Sequence, residues 1–545
     1  MEPPRTERAA PSPPAGRLRR GRWEYVAATL IFLGLTAWFF GPLFRGYTLS
    51  AVAGHQSAVF PWRALPNEFQ DSYPQSDQAD LNYPWQTFIT DSLRAGAFPF
   101  WDPYSFGGHP FFSNGQSAVI YPPRFFSALA LSPSWAHDLF SVLHVALSAL
   151  FMFLMAKELG TGFAGATLAA VAWMFAAFNL AWLQLEVVVP VFVFLPASCL
   201  FVHRAARRRS WKTTAAAVLV LGMLLVSGHL PFVGLTYLVA VSYAACLSIR
   251  VALRSRGSTG RRAAGKELLR AIVTALAPLA VAAGALLPTI AFLLHDLNRP
   301  QPSYELAHAA IRVRPSAFLN VFLPPAVPIT EGRMHEMVFV GTATLAFAAL
   351  GALQRRPGTG LARILAAAVL LVALDTPALW LAFHLIPGFG YFRPLGRLLY
   401  LFSFAVALLG GIGLDFAMRW SRRRRPGVPP SRQRTSREWA MIAIASLAVG
   451  LTVVQLLPYG RRINPPFHPR ERKYLYPETP LISALTNDRG RPNRILPVRR
   501  SNLGAPWRPP VLYAAESMVF GIASAGGYDS AVPERTAALW RVIEG

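Results

Sequence analysis

The chain has 545 residues, 53% of them hydrophobic and 15% charged, with a formal net charge of +26. Apolar runs recur along most of that length, which excludes a string of soluble domains and points to a mainly α, polytopic helical membrane protein. The positive excess is not a nucleic-acid footprint, because the arginines cluster between apolar runs and no nucleic-acid-binding signature accompanies them.

In chain order, residues 1–23 are rich in Pro, Arg and Ala and read as a disordered basic tail. The first apolar run, 24–44, lacks a small-residue cleavage site and reads as a retained span. About 20 mostly apolar residues make a span, and ten further segments approach that: 136–157, 161–182, 187–203, 212–230, 231–250, 268–294, 336–353, 362–385, 397–418 and 438–457. The fourth of the eleven is short, and the ninth is interrupted by Asp375-Thr376-Pro377. Residues 24–457 therefore form a multi-helix membrane domain of about 11 transmembrane helices.

Charge gives the orientation. The stretches RAARRRSWK from Arg204, RSRGSTGRRAAGK from Arg254, QRRPGTGLAR from Gln354 and RWSRRRRPGVPPSRQRTSR from Arg419 all follow even-numbered spans. The positive-inside bias puts them, and the N-terminus, in the cytoplasm. The loop 45–135 and everything after Leu457 then lie outside. The segment 458–545 carries strand-like pieces (NRILPV, PVLYAA, SMVFGIAS) and the turn signal GGYDS, which predict a small mixed or β-rich extracytoplasmic part. Its end at Leu539–Gly545 reads as a truncation.

The 45–135 loop is too long for a connection. DLNYPWQTFITDSLRAGAFPFW predicts an amphipathic helix with Tyr83, Trp85, Phe88, Ile89 and Leu93 on one side, placed at the headgroup level. Asp77 and Asp80 stand just before it. Either caps the helix, or accepts a proton from an attacking hydroxyl, and spacing does not choose between these roles. Asp102 before Pro103 reads as a turn former, and Gly107-Gly108 as a bend.

A large first outer loop with acidic residues, on a many-helix bundle, resembles the GT-C class of membrane glycosyltransferases. More closely, SDQADLNYPW, PFWDPYSFGGHPFFSNGQSAVIYPP, SGHLPF, PGFGYFRPLGRLLYLFSFAVALLGGIGLD and GIASAGGYDSAVPER, in that order, resemble the YfhO-type bacterial membrane proteins. The resemblance implies sugar transfer from a polyprenyl-phosphate donor, at the outer face of a bacterial cytoplasmic membrane, to a cell-envelope glycan, teichoic-type polymer or glycolipid. It makes Asp77 or Asp80 the base.

For the lipid phosphate, Arg393 and Arg397 in YFRPLGRLLY fit the outer mouth of the tenth span, with interfacial anchoring as the plainer role. Arg312 and Arg314 are weaker versions of the same pattern. Glu186 on a short outer connection, a candidate second acid or metal ligand as well, His229 at a helix end, and His109 and Asn114 in the aromatic loop are the other candidate substrate contacts. For each the bland alternative is a solvated or carbonyl-bonded side chain. Asp415 is expected to pair with nearby arginines. No cofactor is evident and no metal-ligand spacing occurs, although a divalent ion is compatible with the class. Two rival readings stand beside the enzyme: a carrier of lipid-linked saccharides, and a non-catalytic scaffold of envelope assembly.

Overall fold

The computed structural model describes residues 15–53, 60–62, 77–255, 257–295, 303–305, 313, 319–324, 334–356, 358–374, 376–386, 389–391, 395–421, 430–463, 468–470, 474–487, 494–496, 512, 515–527 and 532–544. It is mostly helical. Helix α1 (Ala15–Phe39) starts before residue 24, so part of the stretch expected to be disordered is helical. The short strand β1 (Tyr47–Thr48) and helices α2 (Tyr83–Arg94) and α3 (Pro122–Ala130) belong to the long first loop. The bundle continues with α4 (Pro133–Glu158), α5 (Phe163–Met174), α6 (Ala177–Ala181), α7 (Val189–Arg208), α8 (Trp211–Leu225) and α9 (Leu230–Arg254). Helices α10 (Gly257–Val281), α11 (Ala283–His295), α12 (Thr342–Ala352), α13 (Thr359–Ala373) and α14 (Pro377–Leu385) follow. After α15 (Leu399–Ser421) and α16 (Pro430–Ile463), the tail adds β2 (His468–Pro469), α17 (Pro480–Asn487) and α18 (Glu534–Glu544).

Six helices among the described residues are long and apolar enough to cross a membrane, or eight if each of two bent pairs is one span. The bends have local causes. Helices α10 and α11 meet at 74°, with Pro278 and Pro288 removing ladder donors on either side. Helix α13 stops at Ala373, and α14 restarts at Pro377 with Thr376 Oγ1 accepting from Ala378 N at 3.2 Å. The short fourth segment forms a full 20-residue helix, α7. The eighth segment is helical only over Thr342–Ala352, because 337–341 run without regular structure. That stretch lies along the break between α5 and α6, where the freed Ala177 N–H donates to Phe339 O at 2.9 Å.

Helices α5, α7 and α15 are enclosed, whereas α9 and α16 leave most of their apolar surface uncovered. The sequence LLGGIGLD makes α15 the centre. A Cβ on Gly411 would collide with Gly165 O of α5, and one on Gly413 with Phe347 O of α12. Close backbone approach between membrane helices requires such small residues.

Carboxylates pin the arginine-rich end of the bundle. Asp415 meets Arg356 at 2.5 Å and Arg419 at 2.8 Å and accepts from Gly162 N at 2.9 Å, which is the pairing expected of it. Glu158 meets Arg204 at 2.8 Å.

At the other end the loop and the tail form one cap. Strands β1 and β2 pair antiparallel, Tyr47 opposite Pro469. Trp62 Nε1 donates to Pro477 O at 2.8 Å, and Thr536 Oγ1 to Phe106 O at 3.0 Å. Strand content among the described residues is this one ladder plus two isolated bridges, Asp102 with His109 and Ile495 with Ser524. Among its described residues the tail is mainly helical, and it is held to the loop by the β1–β2 pair and by side-chain-to-backbone bonds running in both directions.

The glycine contacts predict a contrast. Gly413→Val should destabilise the bundle by about 3 kcal/mol or more through overpacking, while Gly450→Ala, with open space around it inside a helix, should be neutral or stabilising by up to about 1 kcal/mol. Thermal midpoints in detergent check both.

Candidate functional site at the capped end

The turn around Asp80 follows from one proline. Gln78–Asn82 form a π-turn in which Tyr83 N reaches Gln78 O, so Ala79 O loses its usual partner. Residue 84 is Pro, so Asp80 O has no helical donor either. The tail supplies both missing donors: Tyr476 Oη to Ala79 O at 2.5 Å, and Ala515 N to Asp80 O at 3.0 Å. Asp80 is fully buried as a result, beside Tyr476 and Glu516. Burial first, then the Glu516 and Asp80 carboxylates, push the Tyr476 phenol well above its ordinary value. Asp77 is half-buried at the start of the turn, and its carbonyl accepts from Asn82 Nδ2 at 3.1 Å.

The helix after this turn does not offer its apolar face to lipid. Trp85 and Phe88 pack edge-on against Phe111 at 6.1 and 5.0 Å, and Ile89 is fully buried. The apolar face expected to meet headgroups is instead buried inside the cap.

Asp102 is the turn former expected, since its Oδ1 accepts from Tyr104 N at 2.7 Å, and Gly107 and Gly108 bend at positive φ. It is also fully buried, and its Oδ2 lies 3.4 Å from His109 Nδ1. Burial pushes its carboxyl up to about 7, against the hydrogen bonds from Tyr104 and Ser105. His109 thus serves the cap through Asp102. Asn114 likewise makes a local turn, its Oδ1 accepting from Gln116 N at 3.3 Å.

Glu186 is not solvated. It lies 3.4 Å from Arg124 and 3.2 Å from His137, all three at most 1% exposed. Burial raises its carboxyl, but Arg124 and His137 outweigh that and hold it below its ordinary value. Next along α4, Asp138 accepts from Leu49 N at 2.9 Å and pairs with Arg470 at 2.8 Å. Arg470 also donates to Tyr47 O at 2.6 Å and stacks over Trp135, its Cζ 3.4 Å from the ring centroid. Thr48 bonds Asp138 and Ser50 N, and Ser50 Oγ donates to Gln78 Oε1 at 3.0 Å. A polar chain therefore runs from the Asp80 turn to Asp138, whose neighbour His137 touches Glu186.

His229 stands at the N-cap position of α9, its backbone N–H donating to Val187 O at 2.8 Å, one residue after Glu186. Its ring lies 5.0 Å from Phe232, which is 5.3 Å from Trp182. Arg397 stands over the other side of this cluster, its Cζ 5.4 Å from the Trp182 ring centroid. Glu186, His229 and Arg397 thus share one neighbourhood, while Asp102 and His109 sit within the cap against the tail. Asn114 adjoins a shallow apolar groove lined by Gly115, Val119, Leu230 and Thr289, with His229 next to its Leu230 wall. Arg393, Arg312 and Arg314 lie outside the described residues. Among the described residues no three or more His, Cys, Asp or Glu side chains gather where a metal ion could be held.

Sequence reasoning passed over Arg124, His137, Asp138, Arg470 and Tyr476. The pair His137-Asp138, in an apolar helix, was the available signal for the first four, because ionisable groups at membrane depth demand partners.

No protein-family model matches the chain, nor does any curated protein. Among solved structures it is similar to the arabinofuranosyltransferase AftD from Mycobacteria, with TM-score 0.52 and 15% identity over 94% of this chain and 33% of that one. The chain spans about a third of AftD's length. The oligosaccharyltransferase AglB from Archaeoglobus fulgidus, in complex with an inhibitory peptide and a dolichol-phosphate, aligns over 93% of this chain and 65% of its own (TM-score 0.43, 14% identity). A second Archaeoglobus fulgidus oligosaccharyltransferase structure, tethered to an acceptor peptide, aligns over 92% and 64% (TM-score 0.40, 12% identity). The AftD likeness defines the class of fold: a GT-C-like architecture.

Two outcomes follow. The folded pKa of Asp102, about 7, exceeds the ordinary 3.8, so the folded state binds that proton more tightly. Its contribution is complete below about pH 4 and is lost as pH rises through 7. The thermal midpoint of Asp102→Asn, relative to wild type, should therefore rise between pH 5 and pH 8. Separately, Arg470→Met strands the Asp138 carboxylate in the interior and should cost about 3–5 kcal/mol. Faster proteolysis of the tail in detergent would register it.

Proposed function

We propose that the protein is a GT-C-type glycosyltransferase of YfhO kind, moving a sugar from a polyprenyl-phosphate donor to an envelope glycan, teichoic-type polymer or glycolipid. In this reading about eleven segments span a bacterial cytoplasmic membrane. The arginine-rich end faces the cytoplasm, and the cap of loop and tail lies outside. Asp80 carries the reading: it is a fully buried carboxylate on a turn whose two freed carbonyls are engaged by the tail. Asp77, three residues earlier on the rim of that turn, is the second carboxylate available to an acceptor.

The step is a single displacement. An acceptor hydroxyl oxygen bonds to the anomeric carbon and its proton passes to the carboxylate of Asp80 or Asp77. The bond from that carbon to the phosphate oxygen breaks, and the electron pair leaves on the lipid phosphate. Arg397, at the start of α15, is suited to receive that charge. Inversion at the anomeric carbon follows from one displacement. Glu186 is a poor base in this scheme, because Arg124 and His137 already neutralise it.

Purified protein given labelled polyprenyl-phosphate sugars and extracted envelope acceptors tests the proposal. Asp80→Asn should lower turnover about 10²–10⁴-fold with donor binding intact. Undiminished turnover in Asp77→Asn, Asp80→Asn and the double variant would remove both bases. Movement of intact donor across the bilayer, without cleavage, would replace the enzyme by a carrier.

A further inference from the structure

Trp182 and His335 are the two groups in the Arg397 neighbourhood that nothing described so far employs. Trp182 ends the α5–α6 segment and is 2% exposed, yet its Nε1–H has no hydrogen-bond partner among the described residues. His335 precedes α12, and its ring centroid lies 5.1 Å from that of Trp182. It is largely buried, and its Nδ1 is likewise without a partner among the described residues. A buried polar nitrogen left without a hydrogen bond costs about 1–3 kcal/mol, so two beside one guanidinium call for an explanation.

The backbone is built to bring these groups together. The turn Leu395–Leu398, which carries Arg397, lies against His335 so closely that a Cβ on Gly396 would strike the His335 carbonyl and its Cβ. The preceding helix is tied to the same stretch by Ala177 N to Phe339 O, which fixes Trp182 relative to residues 334–341. Three separate elements therefore hold Trp182, His335 and Arg397 in one place.

The electrostatics suit an anion. The Arg397 guanidinium brings the charge. The His335 imidazole stays neutral, pushed down to about 3 by burial and then by Arg397, so it adds a hydrogen-bonding nitrogen without repelling the arginine. Trp182 Nε1 is a donor only. One cation with two short, largely immobile nitrogen partners matches a tetrahedral oxyanion, whose oxygens point in several directions.

We propose that His335 and Trp182 complete an oxyanion site around Arg397 that grips a phosphate group. The glycosyltransferase reading enters only in naming the source as a lipid phosphate headgroup; free inorganic phosphate offers the same chemistry.

The full-length protein in nanodiscs tests this, with decaprenyl phosphate, decaprenol and inorganic phosphate as probes. Trp182→Phe keeps the ring beneath Arg397 and removes the N–H. His335→Ala removes the imidazole, and His335→Gln restores a hydrogen-bonding group. Trp182→Phe and His335→Ala should each weaken decaprenyl phosphate about tenfold or more, with decaprenol unchanged and His335→Gln recovering part of the loss. Inorganic phosphate that competes with decaprenyl phosphate in wild type, but not in Arg397→Met, would place both at one site. Equal weakening of phosphate and alcohol would make the two residues structural, and unchanged affinities would overturn the proposal. Asp80→Asn separates this from catalysis: binding should persist there whether or not turnover is lost. If wild type shows no transfer yet binds phosphate through His335, the enzyme falls and the site stands.

Discussion

The cap depends on a simple demand: a carbonyl buried away from water must find a donor. Pro84 cannot supply one to Asp80, and the π-turn before it diverts Tyr83 from Ala79. Both carbonyls turn to the tail, some four hundred residues later in the chain. This couples the two ends of the polypeptide and buries the Asp80 side chain in the same stroke. Without that coupling, Asp80 would be an ordinary loop carboxylate, free to cap the helix that follows.

A second constraint reinforces the first. Asp138 enters the bundle at the head of α4 and is fully buried, so it needs a cation. Arg470 meets it from the tail while also donating to Tyr47 O, in the strand that β2 pairs with. The buried pair acts as a registry device: it fixes where the tail crosses the first loop. Beyond it, Glu186, Arg124 and His137 balance charge in the interior, which explains why Glu186 is held ionised and unavailable for proton transfer.

Much of this was legible in the sequence, and the unread part has a physical pattern. The long apolar helices, the proline breaks, the pairing of Asp415 with Arg419 and the bends at Asp102 and Gly107-Gly108 are local, and local rules found them. Residues 337–341 look as apolar as a span, but they lie extended because they answer the broken ladder between α5 and α6. That requirement comes from another element and leaves no local trace. The same holds for the α2 face, whose amphipathic pattern suits lipid and protein equally. Phe111 and Tyr104, brought round by the loop, decide between them. Glu186 looked solvated because its partners, Arg124 and His137, stand some fifty to sixty residues away.

The distribution of charge through the depth of the bundle bears on what such a molecule can do. Ion pairs occupy the two ends, at Asp415 and Glu158 on one side and at Asp138 and Glu186 on the other, whereas the midsection of α15 presents mainly apolar residues and glycine. A carrier of saccharides needs polar contacts along its whole path, since each sugar hydroxyl must exchange water for a protein partner at every stage. Chemistry confined to one interface needs them at one end only. Asp80, Asp102, Asp138 and Glu186, the Trp182 and His335 nitrogens that lack partners among the described residues, and the guanidinium of Arg397 gather at the capped end. In the proposed transfer the lipid-borne group presents its headgroup there while its tail remains in the hydrocarbon, and that proposal requires no polar passage through the middle.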